Sequence, residues 1–153
     1  MELKTGSAES TLDDKGRVSI PVRFREQYQD KLVITRGMEK CVWVMTFSVW
    51  ERYEQDLRAR SKEENLNDEE WDVLEYKLIG HAQEAELDKS GRIAVPPTLR
   101  KYANLSKDCM VINGKNRLSI WDCETFEAYL DGNEAVARAA MNKLGAQDIF
   151  RTG

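Results

Sequence analysis

The chain has 153 residues, 41% hydrophobic and 33% charged, enough to bury one core or two very small fused ones. With 3 Pro and 9 Gly it leaves little material for a disordered linker, and no run approaches the roughly 20 apolar residues of a membrane helix. Its 23 basic and 27 acidic residues sum to −4, so a nucleic-acid role would have to rest on how the charge is distributed.

In chain order, the opening MELKTGSAES carries neither the apolar run of a secretory signal nor the Arg-rich pattern of a transit peptide, and a cytosolic location is expected. Residues 10–13 lead into a tight turn over Asp14, Lys15 and Gly16, and a strand follows from Arg17. There Val18 and Ile20 alternate with Arg17 and Ser19, which predicts an apolar pair facing a core and an arginine side facing out. Pro21 stops the ladder and opens a helical turn over 22–27, with Phe24 and Tyr28 on one side. The runs KLVITR and CVWVM around residues 37–40 read as a hairpin, as do CMVIN and RLSIW around 114–116. Each hairpin leads into a helix. The first is expected to start near Ser48, with Glu51 completing a capping box and Trp50, Tyr53 and Leu57 on the buried stripe. Asn67 should cap a second helix, whose Trp71, Leu74 and Leu78 form a stripe ended by Gly80. A last helix is expected between Asn133 and Gly145, with Val136, Ala140 and Leu144 on its apolar side. Cys41, Cys109 and Cys123 are odd in number and lack C-x-x-C spacing, which predicts free core thiols.

Two segments in this succession are copies of one another. LDDKGRVSIP and LDKSGRIAVP align without a gap at an offset of 75, placing Asp13 on Asp88, Gly16 on Gly91, Arg17 on Arg92, Phe24 on Leu99 and Arg25 on Arg100. One residue later in register, Val42, Val44, Trp50 and Tyr53 meet Leu118, Ile120, Phe126 and Tyr129. The same segments hold the missing positive charge. Residues 15–25 carry Lys15, Arg17, Arg23 and Arg25, and residues 89–101 carry Lys89, Arg92, Arg100 and Lys101, with no acid in either. Each is +4, and the rest of the chain, with 15 bases against 27 acids, is −12. A basic face on an acidic body attracts phosphate at one place and repels it elsewhere, which orients an approach to DNA.

A module of roughly 50 residues in β-structure buries too little to stand alone, and its hairpins leave edges that need covering. The copies should therefore complete each other about a pseudo-twofold axis, giving an α+β fold with one barrel-like core and peripheral helices. The expected division is a first repeat over 8–54, a helical segment over 55–80, a second repeat over 81–130, and a C-terminal helix and tail over 131–153.

Chemically, Asp13 at the mouth of the turn can accept turn N–H groups and pair with Arg17, which fixes the guanidinium in one direction. A fixed planar fork can take phosphate, or the O6 and N7 edge of guanine, in bidentate fashion. As a plain cross-turn salt bridge the same pair would only staple the hairpin. Enzyme readings fare poorly. Asp13 and Asp88 could in principle form a carboxylate dyad, but each has its own Arg four residues on, which favours two occupied, ionised carboxylates. There is no G-x-S-x-G, and a single histidine, His81, with scattered cysteines gives no metal-ligand spacing. No cofactor, metal or small-molecule substrate is expected.

The duplicated D-x-x-x-R signature, in the contexts LDDKGRVSIPVRFR and LDKSGRIAVPPTLR, resembles the MraZ family of the swapped-hairpin, AbrB-like superfamily, and the likeness runs from about Leu12 to Leu144. The resemblance implies two tandem swapped-hairpin modules. It also implies a bacterial transcriptional regulator, cytoplasmic and nucleoid-associated, that binds tandem boxes on double-stranded DNA upstream of the division and cell-wall gene cluster containing its own gene. It implies a ring of protomers. Carried onto this chain, it points to Arg17 and Arg92 as DNA contacts with Lys15 and Lys89 beside them, supported by Asp13, Gly16, Asp88 and Gly91. Arg17 is favoured as the main base reader. Arg23, Arg25 and Arg100 are expected to contact DNA or serve subunit interfaces. Related hairpin folds include antitoxins, so a protein-binding module is the alternative.

Overall fold

A computed structural model describes residues 3–114 and 116–145 of the chain. Residues up to Cys123 form one compact unit, and those from Glu124 onward a second. No helix among the described residues is long and apolar enough to cross a membrane.

The first copy runs β1 (Gly6–Thr11), β2 (Arg17–Ser19), α1 (Val22–Arg25), β3 (Leu32–Arg36), β4 (Val42–Thr46) and α2 (Phe47–Glu63). After α3 (Asp68–Leu74), the second copy runs β5 (Gln83–Ala85), β6 (Arg92–Ala94), α4 (Pro97–Tyr102), β7 (Asp108–Asn113), β8 (Leu118–Asp122) and α5 (Cys123–Gly132), and α6 (Glu134–Leu144) follows. The result is a mixed α+β fold with a six-stranded antiparallel sheet, ordered β1-β7-β8-β4-β3-β5, and a separate two-stranded ribbon of β2 and β6.

The pairing shows how each copy covers the other's edge. β1 of the first copy lies along β7 of the second, with Ala8 opposite Val111, and β5 of the second lies along β3 of the first, with Gln83 opposite Ile34. The two hairpins meet at β4 and β8, where Val42 faces Ile120 and Val44 faces Leu118. In the ribbon Val18 faces its own counterpart, Ile93. Exchanging the copies therefore maps each of these pairings onto the other or onto itself.

The core follows from the alternation in the sequence. Val18, Ile20, Phe24 and Tyr28 from the first copy meet Ile93, Val95, Leu99 and Ala103 from the second, all buried, above Leu32, Ile34, Val42, Val44, Cys109, Val111, Leu118 and Ile120 of the sheet. The Tyr28 hydroxyl donates to Asn113 Oδ1 at 2.6 Å, and the Asn113 amide donates to the Lys4 carbonyl at 2.6 Å and to Gln27 Oε1 at 3.0 Å. This buried polar group is thus satisfied, as burial demands. Behind the first hairpin, Trp43 meets Tyr53 of α2 edge-on, with ring centroids 6.1 Å apart. Cys41 and Cys109 are buried free thiols, and Cys123 stands at intermediate exposure.

Two helix expectations need correction. The cap of α2 is Thr46, whose hydroxyl accepts from the Val49 amide at 3.4 Å, and Ser48 already lies inside the helix. β4 runs into α2 with no loop, so its last extended residue takes the cap position, two residues before the S-x-x-E pattern. The segment between the copies is not one α-helix: after Leu74 it widens into a π-helical turn over Glu75–Ile79, and Leu78 is buried from that turn. Its start is as expected. Asn67 Oδ1 accepts from the Glu70 amide at 2.8 Å, and Glu70 Oε1 accepts from the Asn67 amide at 3.0 Å. Asn67→Ala is expected to cost about 1 kcal/mol, read as a lowered midpoint in urea unfolding.

In the second unit, α6 ends at Gly145, which sits in the left-handed region at φ 62°. Val136, Met141 and Leu144 on this helix are exposed.

Candidate nucleic-acid interface

The two signature turns are built alike. Asp13 Oδ1 accepts from the amides of Lys15 and Arg17, both at 2.9 Å, and its Oδ2 accepts from Arg17 Nε at 2.8 Å. Asp88 repeats the arrangement: Oδ1 accepts from the amides of Ser90 and Arg92, and Oδ2 from Arg92 Nε, all at 2.9 Å. The chain can close this loop because Gly16 and Gly91 take φ of +80° and +76°, which side chains with a Cβ avoid. One carboxylate thus both folds the turn and aims the arginine, and this explains why Asp and Arg must be four residues apart.

The ribbon brings the turns together. Ile20 N donates to the Gly91 carbonyl and Val95 N to the Gly16 carbonyl, each at 2.9 Å, so each strand runs alongside the other copy's turn. In the register, Arg17 faces Ala94 and Ser19 faces Arg92. Val18 and Ile93 are fully buried, which puts Arg17, Ser19, Arg92 and Ala94 on the opposite, outward side. The Arg92 guanidinium also comes within 3.9 Å of Asp13 Oδ2, so Asp13 stands between both arginines. The Arg17 and Asp13 side chains keep 28% and 32% of their surface exposed, open enough to meet a ligand.

The carboxylates stay charged. The Arg17 backbone amide, offset in part by burial and aided by the Arg17 side chain and the Lys15 amide, holds Asp13 below the usual carboxylate range. The Arg92 amide does the same for Asp88, with the same helpers in its own turn. Because the folded value is the lower one, the stabilisation is complete above the ordinary carboxylate value of about 3.9 and is lost as pH falls through the depressed value. Carboxyl titrations followed by NMR should show Asp13 and Asp88 with midpoints below 3.9, and turn geometry constant from about pH 5 to 8. Two carboxylates so held are not arranged to share one proton.

Of the residues singled out in the sequence, Lys15 and Lys89 lie exposed on the turns, next to Arg17 and Arg92. Arg23 is placed elsewhere: it donates to the Ser7 carbonyl at 2.9 Å and lies over the Phe24 ring, 4.8 Å from its centroid, tying β1 to α1. Arg25 donates from Nε to the Ile20 carbonyl at 2.7 Å and lies against Gly91, while Arg100 lies against Gly16. Sequence reasoning did not reach the Arg92 to Asp13 approach, nor that Arg17 would stand opposite Ala94 and Arg92 opposite Ser19. Their signal was the alternation itself, once the two strands are known to pair antiparallel about Val18 and Ile93.

Comparison with known proteins bears on this arrangement. The sequence profile of the family described as "MraZ protein, putative antitoxin-like" matches residues 3–70 and again 78–144. The chain is 38% identical over 146 residues to the transcriptional regulator MraZ of Treponema pallidum, covering 95% of each protein. It is 36% identical over 145 residues to that of Treponema denticola, covering 92% of this chain and 96% of the relative. To that of Kineococcus radiotolerans it is 41% identical over 126 residues, 82% of this chain and 85% of the relative. These relatives are named as transcriptional regulators, not as enzymes. The profile matches most of the chain in two consecutive stretches, each carrying one Asp-Arg turn, and the chain belongs to the MraZ family.

Proposed function

We propose that this chain is a sequence-specific DNA-binding transcriptional regulator that reads double-stranded DNA with the β2–β6 ribbon. The observation that carries the reading is one outward ribbon face bearing both signature arginines, each oriented by its own aspartate. A two-stranded ribbon fits the major groove, and an oriented guanidinium suits the guanine edge or a phosphate. Lys15 and Lys89 flank it as phosphate contacts, and the acidic remainder of the chain keeps other faces off the duplex.

On this reading the protein is cytoplasmic and nucleoid-associated, binds tandem promoter boxes of the division and cell-wall gene cluster including its own gene, and works as a cyclic homo-oligomer. The exchange of first strands supports residues 8–54 and 81–130 as two AbrB-like repeats interlocked in one barrel-like core. In that division 55–80 is the helical insertion and 131–153 the terminal helix and tail, of which 146–153 lie outside the described residues. Light scattering at micromolar protein should give a mass above that of a dimer; a monomer independent of concentration would remove the ring.

The test of the main reading is fluorescence anisotropy with DNA from the gene's own upstream region, with the boxes intact or scrambled. Preference for the intact boxes is expected, with log affinity falling against log salt by about 0.9 per phosphate contacted. The antitoxin-like family description favours a protein-binding module as the second reading. Absence of any DNA binding at low salt would decide for it.

A further inference from the structure

We propose that Arg25 and Arg100 are positioning residues, each bracing the signature turn of the opposite copy. Arg25 leaves α1 of the first copy and hydrogen-bonds the Ile20 carbonyl at 2.7 Å, and Ile20 in turn donates its amide to the Gly91 carbonyl at 2.9 Å. Its guanidinium then lies over Gly91 of the second copy, so close that a Cβ there would collide with Nε and Cζ. The second copy returns the contact. Arg100 of α4 lies over Gly16 of the first, where a Cβ would meet Nη1 and Cζ, and Val95 donates its amide to the Gly16 carbonyl.

Each glycine is thus required for two reasons, the positive φ and the arginine seated on it. Each turn is closed by its own aspartate and by backbone pairs, Gly16 N to the Asp13 carbonyl and Asp13 N to the Arg17 carbonyl, with counterparts at Gly91 and Asp88, and a local opening that broke them would release the Nε contact that aims the signature arginine. The crossed guanidinium closes that route from the outside. Because Arg25 corresponds to Arg100 and Gly16 to Gly91, loosening a brace in one copy should disorder the reading turn of the other. This assigns to the two arginines a role distinct from phosphate contact, and it rests on the proposed function only for what the turns read.

The first test needs no DNA. In hydrogen exchange of the free full-length protein, Arg25→Ala should speed exchange in residues 86–94 about tenfold and leave 11–19 near wild type, and Arg100→Ala should do the reverse. Gly91→Ala, which displaces Arg25 from the other side, should loosen 86–94 in the same way and serves if Arg25→Ala is globally unstable. Loosening of the mutated copy's own turn, or of neither turn in both variants, overturns the brace. With box DNA, Arg25→Ala should lower specific affinity about tenfold with the salt slope unchanged. A slope reduced by about 0.9 would instead make Arg25 a phosphate contact. Should wild type show no preference for the boxes, the DNA reading fails while the crossed exchange pattern still decides the brace.

Discussion

Phe24→Ala is expected to remove about 3–5 kcal/mol of stability, the cost of truncating a fully enclosed aromatic side chain and leaving a cavity. Phe24 is fully buried with Tyr28, Leu99 and Ala103 in the layer that both copies contribute. The cavity cannot collapse easily, because Pro21 and Pro96 fix the entry of α1 and α4 and the ribbon pins the strands before them. Its counterpart Leu99→Ala should cost about 2–5 kcal/mol. The two residues sit in one shared core, so the double variant should be non-additive, which urea unfolding would show. Additive losses with two separate transitions would mean that the copies fold as independent modules.

The second large effect concerns Asp13, and its sign is informative. Simple electrostatics predicts that removing a carboxylate beside two arginines strengthens binding to a polyanion. Yet Asp13 accepts two turn amides and the Arg17 Nε–H, and lies 3.9 Å from the Arg92 guanidinium. Asp13→Ala should therefore leave Arg17 undirected and three donors without their acceptor. Specific affinity for the boxes is expected to fall by about 1–3 kcal/mol per lost bidentate contact, while affinity for scrambled DNA holds or rises. If protomers engage successive boxes, the loss compounds through avidity. Asp88→Ala should have the smaller effect, since Arg92 retains a second carboxylate nearby in Asp13. Equal gains for both DNAs would mark the carboxylate as a mere repellent charge.

Much of this arrangement was legible in the chain because the repeat prints the same local chemistry twice. Gly16 and Gly91, with Asp three residues before and Arg one after, dictate a turn, and the alternation of Val18 and Ile20 dictates which way the arginine points. The hairpins and the caps at Asn67 and Gly145 followed from similarly local rules. What was not legible depends on which strand lies beside which. Nothing in Ala8 or Gln83 says that it pairs with the other copy's hairpin, and the short, polar β5 carries no strand signal of its own. The same holds for Arg25 and Arg100. As residues in basic segments they read as contacts for DNA or a neighbouring subunit, and only the crossed ribbon places each over the other copy's glycine. The α2 cap was misplaced for a local reason, since a strand that enters a helix without a loop hides its cap among strand residues.

The measurement that bears most directly on the ribbon as the DNA-reading element is the affinity of Arg17→Ala for intact tandem boxes, with its assembly state followed by size exclusion. An unchanged elution volume, loss of the preference for intact over scrambled boxes, and a weaker effect for Arg92→Ala are expected. Full affinity of Arg17→Ala for the intact boxes in an unchanged assembly would contradict the ribbon's role, and would leave the Asp13 to Arg17 pair as a staple of the turn.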